Sequence, residues 1–123
     1  EADENELREL GRKIRWYADF PKGANVNFYE IIGEDLVCER TFERGVEDFT
    51  YACGTGTGSV VTVLTLQGRV SGKDVRVTMP GGELRIDAER VHSHIASLYL
   101  TGPTNIVCKG EITDEDLPPI PGM

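Results

Sequence analysis

Residues 52–68 read Ala52-Cys53-Gly54-Thr55-Gly56-Thr57-Gly58-Ser59-Val60-Val61-Thr62-Val63-Leu64-Thr65-Leu66-Gln67-Gly68. After the glycines the run is apolar nearly all round, and its length and composition leave strand and helix both open. The Gly/Thr/Ser entry and the closing Gly68 match the start and the C-terminal stop of a helix, so the stretch is read as one buried helix. A helix without a polar face has to be enclosed. The flanking sequence offers strands to enclose it. Upstream, Val26–Ile32 is rich in β-branched and aromatic residues, Gly33-Glu34-Asp35 is a turn, and Leu36–Glu43 alternates apolar with polar side chains, which predicts a hairpin. Downstream, Val70–Met79, Glu83–Ala88, Ile95–Leu100 and Ile106–Ile112 each read as a strand, with a turn at Pro80-Gly81-Gly82.

Further out, residues 3–17 open with acidic side chains, space Leu7, Leu10, Ile14 and Tyr17 at helical intervals and carry Arg12, Lys13 and Arg15 late, as the dipole of a helix favours. Asp19-Phe20-Pro21-Lys22-Gly23 breaks that helix. About seven short strands around one apolar helix place the chain in the α+β class, as a curved mixed β-sheet or barrel wrapped around a central helix. Residues 1–112 form one domain, and the acidic, Pro-rich stretch 113–123 is expected to be a loose tail.

The chain has 123 residues, 13 Lys+Arg against 21 Asp+Glu, and a net charge of −8. That charge repels a phosphate backbone, so neither nucleic acid nor an anionic membrane surface is an expected partner. No apolar run approaches the roughly 18–20 residues of a bilayer helix, and a soluble, cytoplasmic protein is expected. Cys38, Cys53 and Cys108 are too few and too scattered for a disulfide scaffold and form no C-x-x-C pair. The chain begins Glu1-Ala2 without an initiator Met, which suggests missing upstream sequence. The glycine run lacks the Lys of a phosphate-binding loop and the spacing of a dinucleotide fingerprint. His92 and His94 have no third partner to make a metal site.

Chemistry concentrates at Cys53. A helix N-terminus leaves N–H groups unpaired and carries partial positive charge, so a thiol there ionises more easily and a carboxylate docked beside it is stabilised. The glycines let backbone approach such a ligand. A buried Cys capping a packed helix explains the same residues, and a core role is expected for Cys38 and Cys108. Glu43 and Arg44, adjacent at a strand end, point to opposite faces and so do not simply pair with each other.

Together these blocks resemble the C-terminal half of diaminopimelate epimerase. Phe20-Pro21-Lys22-Gly23-Ala24-Asn25-Val26-Asn27-Phe28 is similar to the family's FPxGxNVNF segment, and Glu43-Arg44-Gly45 followed by Ala52-Cys53-Gly54-Thr55-Gly56 to its ERG and ACGTG pair. Val77–Leu84, Leu98–Pro103 and Gly110-Glu111-Ile112 are similar to its closing strands. Residues 44–51 are one residue longer than the family's ERGxGET segment, which could displace Glu43 relative to Cys53. The resemblance implies two similar domains with the active site in the cleft between them, of which this chain is one. It implies conversion of LL- to meso-diaminopimelate by two cysteines on opposite sides of the α-carbon, with no pyridoxal phosphate, metal or other cofactor. By position Cys53 resembles the second cysteine and Glu43 the carboxylate that assists it. Asn25, Glu43 and Arg44 would bind the distal end of the substrate, and the amides of Gly54 and Thr55 its reacting carboxylate. The other cysteine would come from the missing N-terminal domain, so the chain alone is expected to be inactive. Its bared cleft face leaves a homo-oligomer open. A related cofactor-independent racemase, or a non-catalytic carboxylate-binding module, is the alternative.

Overall fold

The computed structural model describes residues 2–113, so all of the expected tail beyond Thr113 lies outside the described residues. The apolar run forms a helix. It is the second of two, and the order is α1 (Glu4–Arg15), β1 (Val26–Gly33), β2 (Leu36–Glu43), β3 (Asp48–Phe49), α2 (Gly54–Leu66), β4 (Val75–Met79), β5 (Gly82–Val91) and β6 (His94–Thr101).

The strands make one mixed sheet in the order β1-β2-β4-β5-β6, with β3 paired to β2. All pairings are antiparallel except β2 with β4, the two strands that α2 connects. α2 packs against β1, β5 and β6 at once. Five strands at about 4.8 Å spacing span about 19 Å, twice the diameter of a helix, so one helix touches both ends of the row only if the sheet curls around it. The curl stops short of a barrel, since β1 and β6 are not paired to each other.

The core is the lining of that curl. Val60, Val61 and Leu64 of α2 pack with Val37, Val75, Val77, Ile86 and Ala88 of the sheet. Leu64, Val61, Val37, Val77 and Ile86 are fully buried. The other face of the sheet carries α1. It is seated over Phe42 through Gly11, where an added Cβ would stand 2.9 Å from Phe42 Cγ. Leu10 and Tyr17 of the expected apolar stripe stay exposed, and the buried residues of the helix are Gly11 and Arg15. Phe49 meets Phe42 and Phe28 edge-on beneath α1, with Arg8 and Arg40 over its ring.

Three expectations need correction. Residues 70–74 are not strand, because left-handed Gly72 and Asp74 turn the chain before β4 begins at Val75. Residues 106–112 form no strand, and Ile106, Val107 and Ile112 are exposed. Their alternation has no neighbour to pair with among the described residues, and Cys108, expected in a core, is exposed as well.

Candidate active site

Cys53 is the N-cap of α2, in extended conformation (φ −143°, ψ 103°). Its Sγ accepts the Gly56 amide at 3.4 Å and lies 3.5 Å from Thr55 Oγ1. A sulfur thus fills the position where Ser, Thr or Asp usually stands. The first turn of α2 holds no acidic residue and its last turn no basic one. Gly54 and Thr55 are exposed, and their amides meet no acceptor among the described residues. The positive end of the helix is therefore uncompensated beside a half-buried thiol, an arrangement suited to a carboxylate.

The strands bring further groups to this end of the helix. Alternation along β2 sets Val37, Glu39, Thr41 and Glu43 on the α2 face. Opposite them β1 sets Ile31, Tyr29 and Asn27. Asn25 continues the β1 row, and its Oδ1 accepts the Arg44 amide at 2.8 Å, which leaves the amide NH2 free to donate. The Arg44 guanidinium, exposed, donates to the Lys22 carbonyl at 2.9 Å. Asn25, Glu43 and Arg44 are thus held together at the strand ends. The Glu43 carboxylate accepts no hydrogen bond among the described residues.

The segment after Glu43 folds into a turn. Gly45 and Glu47 adopt left-handed conformations (φ 90° and 61°), after which Asp48 pairs with Glu43 and Phe49 with Phe42. The Glu47 carboxylate fixes the turn by accepting the Gly45 amide at 3.1 Å and the Arg15 guanidinium at 2.9 Å. Those contacts, the Gly45 amide foremost, hold its pKa below the usual 4.5. Glu43 therefore keeps its place in the ladder.

On the other side of α2 an open apolar groove of about 700 Å3 runs between the helix and β6, lined among others by Gly54, Thr55, Val63, Leu98 and Leu100. Asn25, Glu43 and Arg44 do not line it. The groove and the polar strand ends flank the helix N-terminus from opposite sides.

The glycines differ in purpose, a distinction the sequence did not reveal. A Cβ on Gly56 would stand 2.5 Å from Asn27 Oδ1 and 3.1 Å from Thr41 Oγ1, so this glycine lets α2 sit down on the sheet. A Cβ on Gly58 would meet only Leu98, at 3.7 Å. Also unforeseen is the polar layer beneath Gly56. Thr41 donates to Asn27 at 2.9 Å, and the Thr57 hydroxyl lies 2.7 Å from Glu39 Oε2 and 2.9 Å from the Cys53 carbonyl. Burial pushes the Glu39 carboxyl up from 4.5, with the Thr57 and Thr41 hydroxyls partly opposing the shift. Alternation in Leu36–Glu43 was the available signal, but it does not say that both faces of β2 are covered. Among the described residues no cluster of three or more His, Cys, Asp or Glu is placed to hold a metal, and no helix is long and apolar enough to cross a membrane.

The chain also resembles known proteins. The family model described as diaminopimelate epimerase matches residues 1–107. Diaminopimelate epimerase of Aquifex aeolicus is 42% identical over 111 residues, covering 89% of this chain and 39% of that protein. The Chlorobaculum tepidum enzyme is 44% identical over 112 residues, covering 90% of this chain and 43% of that protein. The chain thus spans about two fifths of the length of these relatives. Among solved structures, the Bacillus anthracis phenazine biosynthesis protein of the PhzF family superposes with a TM-score of 0.57 over 80% of this chain and 30% of that one. At 18% identity that likeness speaks for the fold alone. With its sheet curled around a cysteine-capped helix and the family match running through nearly every element, the chain belongs to the diaminopimelate epimerase family.

Proposed function

We propose that this chain is the C-terminal catalytic half of a cofactor-independent diaminopimelate epimerase serving lysine and peptidoglycan biosynthesis. The observation that carries the reading is the Cys53 sulfur, 3.4 Å from the Gly56 nitrogen and next to the amides of Gly54 and Thr55, which meet no acceptor among the described residues. The substrate's reacting carboxylate sits on those two amides. The Cys53 thiolate then takes the α-proton, the C–H electron pair passes into the carboxylate, and the amides meet the growing charge. Glu43 assists the thiol, while Asn25, Glu43 and Arg44 hold the distal amino and carboxylate groups. Reprotonation on the opposite face needs a second acid, the thiol of an upstream domain. In the reverse direction Cys53 is the acid and the other cysteine the base.

Two measurements test this. The purified 123-residue chain is expected to show no epimerisation of LL-diaminopimelate, and measurable turnover would refute the need for a second cysteine. Cys53 is expected to react with iodoacetamide faster than Cys38 and Cys108. Cys108 is the more exposed thiol, so faster labelling at Cys53 reports activation by the helix end rather than access. Slower labelling at Cys53 would return it to a structural cap.

A further inference from the structure

Beneath the first turn of α2 lies a carboxyl group that the proton exchange at Cys53 does not use. Glu39 is 2% exposed, and its Oε1 is buried without a hydrogen-bond partner among the described residues. Its Oε2 is 2.7 Å from Thr57 Oγ1, which is itself 2.9 Å from the Cys53 carbonyl. A threonine hydroxyl has one proton. The Cys53 carbonyl accepts the Thr57 amide at 2.9 Å, and its second lone pair is filled when the Thr57 hydroxyl proton also points at it. The short contact to Glu39 is then a hydrogen bond only if Glu39 is the donor. An ionised Glu39 would draw that proton away from Cys53 and leave a bare anionic oxygen in a dry interior, the costlier state.

The surroundings supply little to stabilise a charge. β1 sets Tyr29 opposite Glu39, and Arg69 lies 3.0 Å beyond, on the Tyr29 hydroxyl. α2 contributes Cys53 and Thr57. In β4 Val77 stands opposite Val37 and Thr78 opposite Cys38, so the next residue along the strand towards Glu39 is the apolar Met79. Glu43 further along β2, and Asp48 of β3 paired with Arg8, are carboxylates that would only oppose a second negative charge. Cys38 and Arg40 alternate to the face of β2 that carries α1, where Arg40 pairs with Glu4.

We propose that Glu39 is held as a neutral carboxylic acid that donates to Thr57, which in turn donates to the Cys53 carbonyl, latching β2 to the Cys53 end of α2. This makes Glu39 a positioning residue for Cys53. That role rests on the proton-exchange reading above, whereas the protonation itself does not.

The test is a 13C NMR titration of the side-chain carboxyls in the unmodified 123-residue chain, followed by pH profiles of Cys53 alkylation. One glutamate signal, absent in Glu39→Gln, is expected to keep its protonated shift at about pH 6, where ordinary carboxyls are ionised. The alkylation profile is expected to carry a step at the pH of that titration which Glu39→Gln lacks. The glutamine NH2 donates to Thr57 as the acid does, so at neutral pH this variant keeps the rate within about twofold while Thr57→Val changes it about fivefold, the ratio set by one net hydrogen bond. Glu39 titrating with the other carboxyls would overturn the proposal, as would a Glu39→Gln loss equal to that of Thr57→Val. Should Thr57→Val fail to fold, the titration of the unmodified chain still decides. Slow labelling of Cys53 beside a protonated Glu39 would sink the proton-exchange reading and leave the latch standing.

Discussion

The two helices begin in opposite ways. Asp3 caps α1 with a carboxylate that accepts the amides of Asn5 and Glu6 at 2.7 and 3.2 Å, and Glu4 and Glu6 follow in its first turn. Arg12, Lys13 and Arg15 close the other end. Every part of that dipole is met by the helix's own side chains. Cys53 caps α2 with a sulfur and a single amide, and neither terminal turn carries a charge. α1 is a self-sufficient surface helix. α2 is held by what it buries, which frees its N-terminus to bind something else.

The comparison breaks most visibly in the cores of the two helices. Leu64→Ala removes a fully buried side chain and is expected to cost about 2–5 kcal/mol in urea unfolding. Leu10→Ala, on a residue 46% exposed, should stay within about 1 kcal/mol. Equal losses would mean that α2 is not the centre of the fold. Within α2, Gly56→Ala drives a methyl into Asn27 and should cost about 1–3 kcal/mol. Gly58→Ala meets only ordinary contact and should be neutral or gain up to about 1 kcal/mol of helix propensity, measured in the same way.

The caps sharpen it. Asp3→Ala should destabilise by about 0.5–2 kcal/mol, because two amides lose their acceptor. Cys53→Ser leaves an oxygen that caps at least as well, so stability should move by less than about 0.5 kcal/mol, while thiol labelling at this position is abolished. A large stability loss in Cys53→Ser would make the sulfur a packing element.

The smallest expected effect is in pH dependence, where the two regions have opposite signs. Around α1, ion pairing with Arg40 and then Arg8 lowers the pKa of Glu4, and Arg8 followed by the Phe49 amide lowers that of Asp48. Their stabilisation is present above the ordinary values of 4.5 and 3.8 and is lost as pH falls through the lower folded-state values. Under α2, Glu39 is shifted upward by burial, so its contribution is complete below 4.5 and is lost as pH rises through the raised folded-state value. Urea midpoints followed against pH should therefore lose part of the acid limb in Asp48→Asn and part of the limb above pH 4.5 in Glu39→Gln. Glu39→Gln changing the acid limb instead would reverse the assignment.

Much of this was legible along the chain. The all-round apolar run 60–66 could not be a surface helix, and strands were needed to cover it. The cap position of Cys53 followed from the Gly/Thr entry. β3 escaped notice because a two-residue strand has no period to detect. Residues 106–112 misled because alternation is a property of one segment, whereas a strand exists only when a neighbour offers hydrogen bonds. Glu39 escaped for a related reason. A charged residue in an alternating strand reads as facing water, and here both faces of β2 are covered.

By itself the sequence determined the α+β class, the central helix, the cysteine at its start and the family blocks around it, since propensity, capping and periodicity act over a few neighbouring residues. Only the tertiary structure decided which glycine seats the helix, that Asn25 and Arg44 bond each other, and that Glu39 lies sealed beneath the first turn of α2. Those facts depend on distances between residues far apart in the chain, and sheet register and curl set them.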